Sequence, residues 1–221
     1  MYIQLNGQII YYEKTGEGSP VILVHGNGET HKIFDALIPE LSKKHTVYAI
    51  DSRGHGLSAA VNEYHYADMA EDIAAFVQAL DLIKPAFYGF SDGGIVGLIA
   101  ASRYPTMFSA LAVSGANLTP SGWKFFPKLS VRIGYLKKKQ PLVRLMLKEP
   151  HIKKADLSKI IVPVFVLAGQ KDIIKKSETK RIASSISGSI LKILPGETHS
   201  SYVVHSPKLF PLLDEFFSSH C

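Results

Sequence analysis

The run from Gly89 to Gly94 reads Gly-Phe-Ser-Asp-Gly-Gly and sets one serine between glycines. An apolar run from Ala86 to Phe90 precedes Ser91 and a helical pattern follows it, so the serine falls at a strand-to-helix turn. Such a turn strains the serine backbone and leaves no room for side chains two positions away, which explains Gly89 and Gly93. Because the turn exposes the hydroxyl, Ser91 is the predicted nucleophile.

A serine hydroxyl attacks efficiently only when a base within hydrogen-bonding distance takes its proton. Among the nine histidines, His199 is the predicted base, because it follows the last predicted strand and so lies at the same edge of the sheet as Ser91. His205 is the nearest alternative, but we expect it to begin the final helix. Five further histidines are expected to be exposed or to pack elsewhere: His31, His45, His65, His151 and His220.

The base needs an acid that orients it, and this acid should follow a different strand. Asp172 comes shortly after the apolar run from Ile161 to Ala168. The interval between Asp172 and His199 holds one helix and one strand, as an alternating sheet requires, whereas Glu197 is too close to His199 to follow a separate strand. Asp172 is therefore the predicted acid, and its alternative role is to cap the following helix.

A tetrahedral intermediate also requires hydrogen-bond donors for its negatively charged oxygen, and one such donor is worth about 3 kcal/mol. The backbone N–H of Asp92, directly after the nucleophile, and the backbone N–H of Asn27, after the first buried strand, are the predicted donors. A glycine-rich phosphate loop is the alternative for the run from His25 to Gly28. No Walker pattern or dinucleotide fingerprint accompanies it.

Strand-like and helix-like segments alternate along the chain, and this alternation has to bring the three side chains together. Val21 to Val24 is an unbroken apolar run typical of a strand buried on both faces, while Asn6 and Gly7 predict a tight hairpin. We therefore predict an α/β protein with a mostly parallel twisted sheet and helices on both faces. The predicted strands are 2–5, 9–12, 21–24, 47–50, 86–90, 110–114, 161–168 and 190–194, and the predicted helices are 33–41, 67–80, 94–102, 176–185 and 209–217.

The alternation breaks at about residues 117–157, where apolar residues are interleaved with lysines and arginines. The pattern predicts one or two amphipathic helices inserted between strands, which form either a small lid over the strand ends or a plain surface excursion. A lid would supply apolar side chains to the substrate pocket: Trp123, Phe126, Leu129 and Met146. The alternative is that these side chains pack as the core of the insertion.

At 221 residues, with 46% hydrophobic and 20% charged residues, the chain has the composition of a single globular domain over residues 1–221. Cys221 is the only cysteine, which excludes an internal disulfide and suits a reducing compartment. We find neither a secretory leader nor an apolar run of about 20 residues, so we expect a cytoplasmic protein without stable membrane insertion. The oligomeric state is left open.

The net charge of +6 is unevenly distributed. Residues 121–160 hold eleven lysines and arginines against Glu149 and Asp156, which gives +9, so the rest of the chain carries −3. No recognisable nucleic-acid module accompanies the basic residues, and we expect no nucleic-acid partner. A solvated basic surface is the expected interpretation, and peripheral attachment to anionic membranes is the alternative.

With Ser91, Asp172 and His199 in this order, the sequence resembles the α/β-hydrolase superfamily over almost its full length, which implies the α/β-hydrolase fold. The run from Asp51 to Gly56 is similar to that family's D-x-R-G-x-G turn, whose residues the resemblance assigns to shaping a loop. The run from Ser91 to Ile95 is similar to the elbow of biphenyl-hydrolase-like esterases. There the aspartate after the serine binds the substrate amine, so the resemblance implies a second role for Asp92, with helix capping as the alternative.

Together these residues predict a serine hydrolase that cleaves a small carboxylic ester through an acyl-enzyme intermediate, without metal or organic cofactor. Its expected partner is a small-molecule substrate. Two alternatives remain. One is an aminopeptidase or amino-acid ester hydrolase that binds the substrate amine through Asp92. The other is a non-catalytic ligand-binding protein on a hydrolase scaffold.

Overall fold

The computed structural model describes residues 1–220 and is built on one eight-stranded sheet. In chain order the strands are β1 (Tyr2–Leu5), β2 (Gln8–Thr15), β3 (Ser19–Val24), β4 (His45–Asp51), β5 (Ala86–Phe90), β6 (Leu111–Ser114), β7 (Val164–Gly169) and β8 (Ile190–Leu194). Across the sheet their order is β1-β2-β4-β3-β5-β6-β7-β8. The hairpin of β1 and β2 is antiparallel, β2 pairs antiparallel with β4, and the other six strands run parallel. The predicted mostly parallel sheet is confirmed.

Helices connect the parallel strands and cover both faces of the sheet. Within residues 1–220 they are α1 (Ile38–Leu41), α2 (Tyr66–Ala79), α3 (Asp92–Arg103), α4 (Phe125–Lys138), α5 (Pro141–Lys148), α6 (Lys154–Leu157), α7 (Lys176–Ser184) and α8 (Phe210–Ser218). Short 3-10 turns occupy His31–Phe34 and Pro120–Gly122. None of these helices combines the length and the apolar character that crossing a membrane requires.

Strand β3 illustrates why the sheet is buried on both sides. Its side chains alternate in direction, so Ile22 and Val24 pack into a core with α2 and α3, whereas Val21 and Leu23 pack into a second core with α1 and α8. An apolar strand of this kind is stable only between two layers of helices. The parallel strands thereby end together at one edge, where the loops carrying the predicted site residues begin.

The opening hairpin turns at Asn6 and Gly7, as predicted. Both residues have positive φ, 49° and 75°, which is the backbone conformation of the tight turns that match the twist of paired strands. Leu5 and Gln8 are consequently paired across the turn.

The single helix predicted over residues 33–41 is wrong. The chain instead forms the 3-10 turn His31–Phe34 and then restarts as α1. Pro39 lies in the first turn of α1, where its missing N–H is tolerated, but inside a continuous helix it would break a hydrogen bond.

His205 does not begin the final helix, contrary to expectation. It has a positive φ of 51°, and α8 starts only at Phe210. Pro207 disfavours helical backbone in the residue before it, and Pro211 occupies the first turn of α8. The prolines therefore delay the helix by several residues.

Three helices, α4, α5 and α6, and one 3-10 turn fill the segment between β6 and β7, residues 117–157, which we call the helical insertion. Its first part is fixed to the loop after β7 by two backbone hydrogen bonds, from Lys124 to Ile173 (2.8 Å) and from Lys175 to Gly122 (2.8 Å). The insertion is therefore anchored at the edge where the parallel strands end.

Candidate active site

Ser91 occupies a strained turn between β5 and α3. Its φ of 53° and ψ of −111° lie outside the regions that side-chain-bearing residues normally adopt. A Cβ on Gly89 would overlap the Gly93 carbonyl, and a Cβ on Gly93 would overlap the Val24 carbonyl, so both positions require glycine. The Ser91 N–H donates to the Ser114 carbonyl at 2.7 Å, which ties the turn to the end of β6.

The His199 ring lies within hydrogen-bonding distance of both other predicted triad side chains, Ser91 and Asp172. His199 Nε2 is 3.1 Å from Ser91 Oγ, and His199 Nδ1 is 2.7 Å from Asp172 Oδ1. Asp172 is 3% exposed, and its Oδ1 also accepts the Ile174 N–H at 2.8 Å. A hydroxyl, an imidazole and a buried carboxylate in this order can move a proton from the hydroxyl to the ring.

The alternative role of Asp172 as a cap for α7 is not what the structure has. Lys175 occupies the N-cap position of α7 without a capping side-chain hydrogen bond, and Asp172 Oδ1 interacts with His199 and the backbone of its own loop. Asp172 Oδ2 is buried without a hydrogen-bond partner among residues 1–220, which leaves one acceptor of the carboxylate free. The Asp172 charge also contributes to raising the pKa of the buried Tyr202 hydroxyl, for which burial is the main cause.

Two features of neighbouring strand ends hold the His199 ring in place. The Phe90 ring packs against it at 5.0 Å between centroids. On another side lies Gly115, with a φ of 64°, where a Cβ would come within 2.7 Å of His199 Cε1. The sequence analysis missed Gly115, although its position directly after a predicted strand was a usable signal.

The loop from His25 to Gly28 lies against the nucleophile. A Cβ on Gly26 would be 3.1 Å from Ser91 Cβ, so the loop backbone passes directly beside the serine. Neither the N–H of Asn27 nor that of Asp92 has an acceptor among residues 1–220. Both N–H groups are therefore unpaired in this part of the chain, and their role as oxyanion donors stays a prediction.

The Asp92 side chain is buried and already has hydrogen-bond partners. Asn27 Nδ2 donates to Asp92 Oδ2 at 2.8 Å, and the Tyr66 hydroxyl also interacts with the carboxylate. Burial raises the pKa of Asp92, and these two partners act in the opposite direction. The pKa of Tyr66 is raised well above its usual value, chiefly by burial and then by the Asp92 charge.

Glu29 is a second carboxyl group near the site that the sequence analysis did not single out. Its Oε2 accepts the Gly26 N–H at 3.0 Å, and the Glu29 N–H donates to the Gly26 carbonyl at 3.3 Å. Burial raises the pKa of Glu29, and His199 is among the charges that act on it. Its place one residue after the His25 to Gly28 loop could have drawn attention to it.

The run from Asp51 to Gly56 forms a compact turn behind this loop. Asp51 is fully buried and accepts the N–H groups of His31 (2.7 Å) and Leu57 (2.9 Å). Arg53 makes a two-pronged ion pair with Asp72 at 2.6 and 2.7 Å. These contacts are structural, as the resemblance implied for this turn.

His25 is buried beside this turn as a neutral imidazole. Its Nδ1 donates to the Gly26 carbonyl at 2.7 Å, and its Nε2 accepts the Ser52 N–H at 3.1 Å. Burial, together with the repulsion of the nearby His55, lowers the pKa of His25 to about 4. The hydrogen bonds of a neutral ring thus connect the two loops.

The four apolar residues predicted for a substrate pocket are not brought together. Trp123 and Met146 line one narrow crevice inside the helical insertion, and Trp123 Nε1 donates to Asn117 Oδ1 at 3.3 Å. Phe126 is 79% exposed and Leu129 is 41% exposed. The expectation of a pocket formed by all four is therefore wrong, because α4 turns Phe126 and Leu129 outwards.

One contact does bring the insertion to the site. Asn27 Nδ2 donates to the Leu142 carbonyl of α5 at 3.3 Å in addition to its bond with Asp92.

Within residues 1–220 no cluster of three or more His, Cys, Asp or Glu side chains is arranged to hold a metal ion.

The family model described as alpha/beta hydrolase fold matches residues 19–130, and the chain belongs to this family of α/β hydrolases. The human serine hydrolase BPHL is 27% identical over an alignment of 253 positions, gaps included, which covers 97% of this chain and 84% of the relative. A pimeloyl-[acyl-carrier protein] methyl ester esterase of Neisseria meningitidis serogroup B, serotype 15, is 28% identical over 242 residues, covering 89% and 92%. The chain is thus an enzyme of the hydrolase class with esterase-like relatives.

Solved structures support the same fold. The enol-lactonase from Burkholderia xenovorans LB400 superimposes with a TM-score of 0.83 at 18% identity, covering 99% of this chain and all of the other. A thermophilic esterase from Thermogutta terrifontis gives a TM-score of 0.81 at 20% identity with full coverage of both chains. At these identities the similarity establishes the α/β-hydrolase fold alone.

Proposed function

We propose that this protein is a serine hydrolase that cleaves a small carboxylic ester through an acyl-enzyme intermediate. The observation that carries the proposal is the continuous path from Asp172 Oδ1 through the His199 ring to Ser91 Oγ, with steps of 2.7 and 3.1 Å. The strained Ser91 backbone and the esterase-like relatives of the chain support the same activity.

In the proposed reaction His199 Nε2 takes the hydroxyl proton as Ser91 Oγ attacks the ester carbonyl carbon. Asp172 stabilises the imidazolium that forms, and the N–H groups of Asn27 and Asp92 bind the carbonyl oxygen as it becomes negative. The imidazolium then protonates the leaving alcohol. Water activated by His199 attacks the acyl-enzyme, which releases the acid and restores the serine.

We further propose that the chain is one α/β-hydrolase domain whose helical insertion, at about residues 117–157, acts as a short lid over this site. The contact between Leu142 and Asn27 supports this role, because it joins α5 to the loop that supplies an oxyanion donor. A small-molecule ester has to pass between the insertion and the strand ends to reach Ser91.

The test compares the wild type with Ser91→Ala and with Ser187→Ala, a control at an exposed serine outside the triad. Each protein is incubated with p-nitrophenyl acetate and p-nitrophenyl butyrate and with a fluorescent fluorophosphonate probe. We expect labelling and turnover in the wild type and in Ser187→Ala and neither in Ser91→Ala. Equal labelling of Ser91→Ala would remove Ser91 from its role, and an unlabelled wild type would favour a non-catalytic ligand-binding protein.

Hydrolysis of amino-acid esters or aminoacyl amides is the second candidate. The observation that favours it is a buried carboxylate, that of Asp92, on the residue directly after Ser91, in a chain that is similar to BPHL. It ranks second because Asn27 and Tyr66 already occupy this carboxylate, so a substrate amine would have to displace or share these partners.

A further inference from the structure

Helix α4 carries an apolar stripe that the rest of residues 1–220 leaves uncovered. Four of its side chains recur at three- and four-residue spacing and are all exposed: Phe126 (79%), Leu129 (41%), Ile133 (46%) and Leu136 (69%). The opposite side of the helix, at Val131 and Tyr135, is partly buried. The stripe is therefore on the outward side, and much of its apolar surface stays in contact with solvent after folding.

The stripe is surrounded by positive charge. From Lys124 to Lys148 the chain has eight lysines and arginines and no acidic residue. At 100° per residue, Arg132 and Lys137 fall on either side of the stripe, and further lysines follow at its end. This combination of an apolar stripe with basic borders is unlike an ordinary solvated face, which has no apolar stripe.

The positive charges around the stripe distinguish between the partners that could cover it. A second copy of the chain would bring two strongly basic helices together, which their mutual repulsion opposes. A nucleic-acid backbone offers phosphates to the lysines but no apolar surface against which the stripe could pack. An anionic lipid surface offers both, because phosphate headgroups lie directly above acyl chains.

We propose that α4 is an interfacial helix that docks this protein on membranes containing anionic lipids. The helix lies flat, with Phe126, Leu129 and Ile133 among the headgroups and upper acyl chains and with Arg132 and Lys137 on lipid phosphates. Its 14 residues are too short to span a bilayer, whose apolar core is about 30 Å thick. Because α5 of the same insertion contacts Asn27, docking brings the edge of the sheet that carries Ser91 towards the lipid.

The test is co-sedimentation of the full chain with vesicles of phosphatidylcholine alone or with about 30% phosphatidylglycerol, at low and high salt. The variant Phe126→Ser/Ile133→Ser removes two of the four stripe residues, and Ile83→Ser/Ile161→Ser removes two exposed apolar residues elsewhere, at 85% and 71% exposure. Lys137→Gln/Lys138→Gln is compared with Lys176→Gln/Lys180→Gln, a charge-matched control on α7. Circular dichroism checks that each variant is folded.

We expect binding to anionic vesicles that weakens in high salt and falls roughly tenfold or more in the stripe variant, with smaller losses in both controls. Absence of binding to anionic vesicles at low salt overturns the proposal. Equal binding by the stripe variant also overturns it, since the net charge of the chain then explains the attraction. A dimer detected by analytical ultracentrifugation that the stripe variant abolishes, without vesicle binding, assigns the surface to a second copy instead.

Discussion

Asn27 Nδ2 donates a 2.8 Å hydrogen bond to Asp92 Oδ2, so the loop after β3 is joined to the residue that follows Ser91. The two backbone N–H groups proposed for the oxyanion belong to these same two residues. The side-chain bond therefore links the two residues whose N–H groups are proposed as donors, and it gives the Asp92 carboxylate a second partner besides the Tyr66 hydroxyl.

From this relationship we expect Asp92→Asn to lower hydrolysis of amine-bearing and neutral esters by similar factors. The neutral amide cannot accept from Asn27 and Tyr66 as the carboxylate does, so the loop loosens for every substrate. The measurement is kcat/KM for matched p-nitrophenyl esters with and without an α-amino group. A loss confined to the amine-bearing ester would make the amino-acid ester hydrolase the better proposal.

Asp172→Asn should reduce kcat by about 10⁴-fold while the protein stays folded, because an amide at this position favours the wrong tautomer of the catalytic histidine. Asp81→Asn, at an exposed turn, is the control and should have wild-type activity. Ester hydrolysis under saturating substrate measures the effect. Wild-type kcat in Asp172→Asn would show that His199 is oriented by another group.

Gly115→Ala should inactivate the enzyme beyond its effect on stability. Its control is Gly188→Ala, since both glycines have a similar positive φ (64° and 71°) but a Cβ at position 188 meets nothing within 4 Å. Both variants should lose about 1–2 kcal/mol of unfolding free energy from the unfavourable backbone conformation. Only Gly115→Ala should lose activity, because its Cβ would come within 2.7 Å of His199 Cε1. Urea unfolding and ester turnover measure the two effects, and equal activity in both variants would contradict this packing.

His25 should make the protein less stable as the solution becomes acidic. Its pKa is about 4 in the folded protein and about 6.5 when unfolded, so the unfolded chain binds more protons between these values. Stability from this group is present above pH 6.5 and falls between pH 6.5 and 4, with a limiting slope of about 1.4 kcal/mol per pH unit. Urea unfolding of the wild type and of His25→Asn from pH 4 to 7 isolates this contribution as the difference in slope. Identical slopes would show that His25 is not buried as a neutral ring.

The attachment of the helical insertion to α2 should weaken as the pH rises. Glu149 accepts from His65 Nδ1 at 2.6 Å and from the Tyr66 N–H at 3.2 Å. The hydrogen bond to Glu149 raises the pKa of His65, so this contact is strongest when the ring is protonated at low pH and is lost as the pH passes the raised pKa. Limited proteolysis of the insertion should become faster from pH 6 to 8. Glu149→Gln should remove this dependence and Glu63→Gln should keep most of it.

Much of the architecture was predictable because strands buried on both faces appear in the sequence as unbroken apolar runs. The unbroken run Val21 to Val24 requires cover on both faces, and the glycines around Ser91 identify the turn that exposes a hydroxyl. The strand ends then limit the base and the acid to a few candidates. Local rules of this kind do not depend on distant contacts.

The incorrect predictions concern residues whose surroundings depend on contacts with parts of the chain that are distant in sequence. The apolar residues of α4 have helical periodicity on two sides, and sequence alone cannot tell the packed side from the exposed one, so Phe126 and Leu129 were assigned to a pocket. The contacts of Glu29 and Tyr66 with the site depend on how the loop after β3 and the start of α2 pack beside Ser91. The limits of the helices near residues 33–41 and after His205 are set by Pro39, Pro207 and Pro211, which interrupt or delay a helix.

The chain reaches the three triad residues on strands that join the sheet at widely separated points of the sequence, with β8 added last at one edge. A chain in which β3 to β6 have formed without β8 would hold Ser91 in its turn yet lack His199, which follows β8. Ester hydrolysis should therefore return on refolding only once β8 has paired with β7, and a chain shortened before β8 should have no esterase activity.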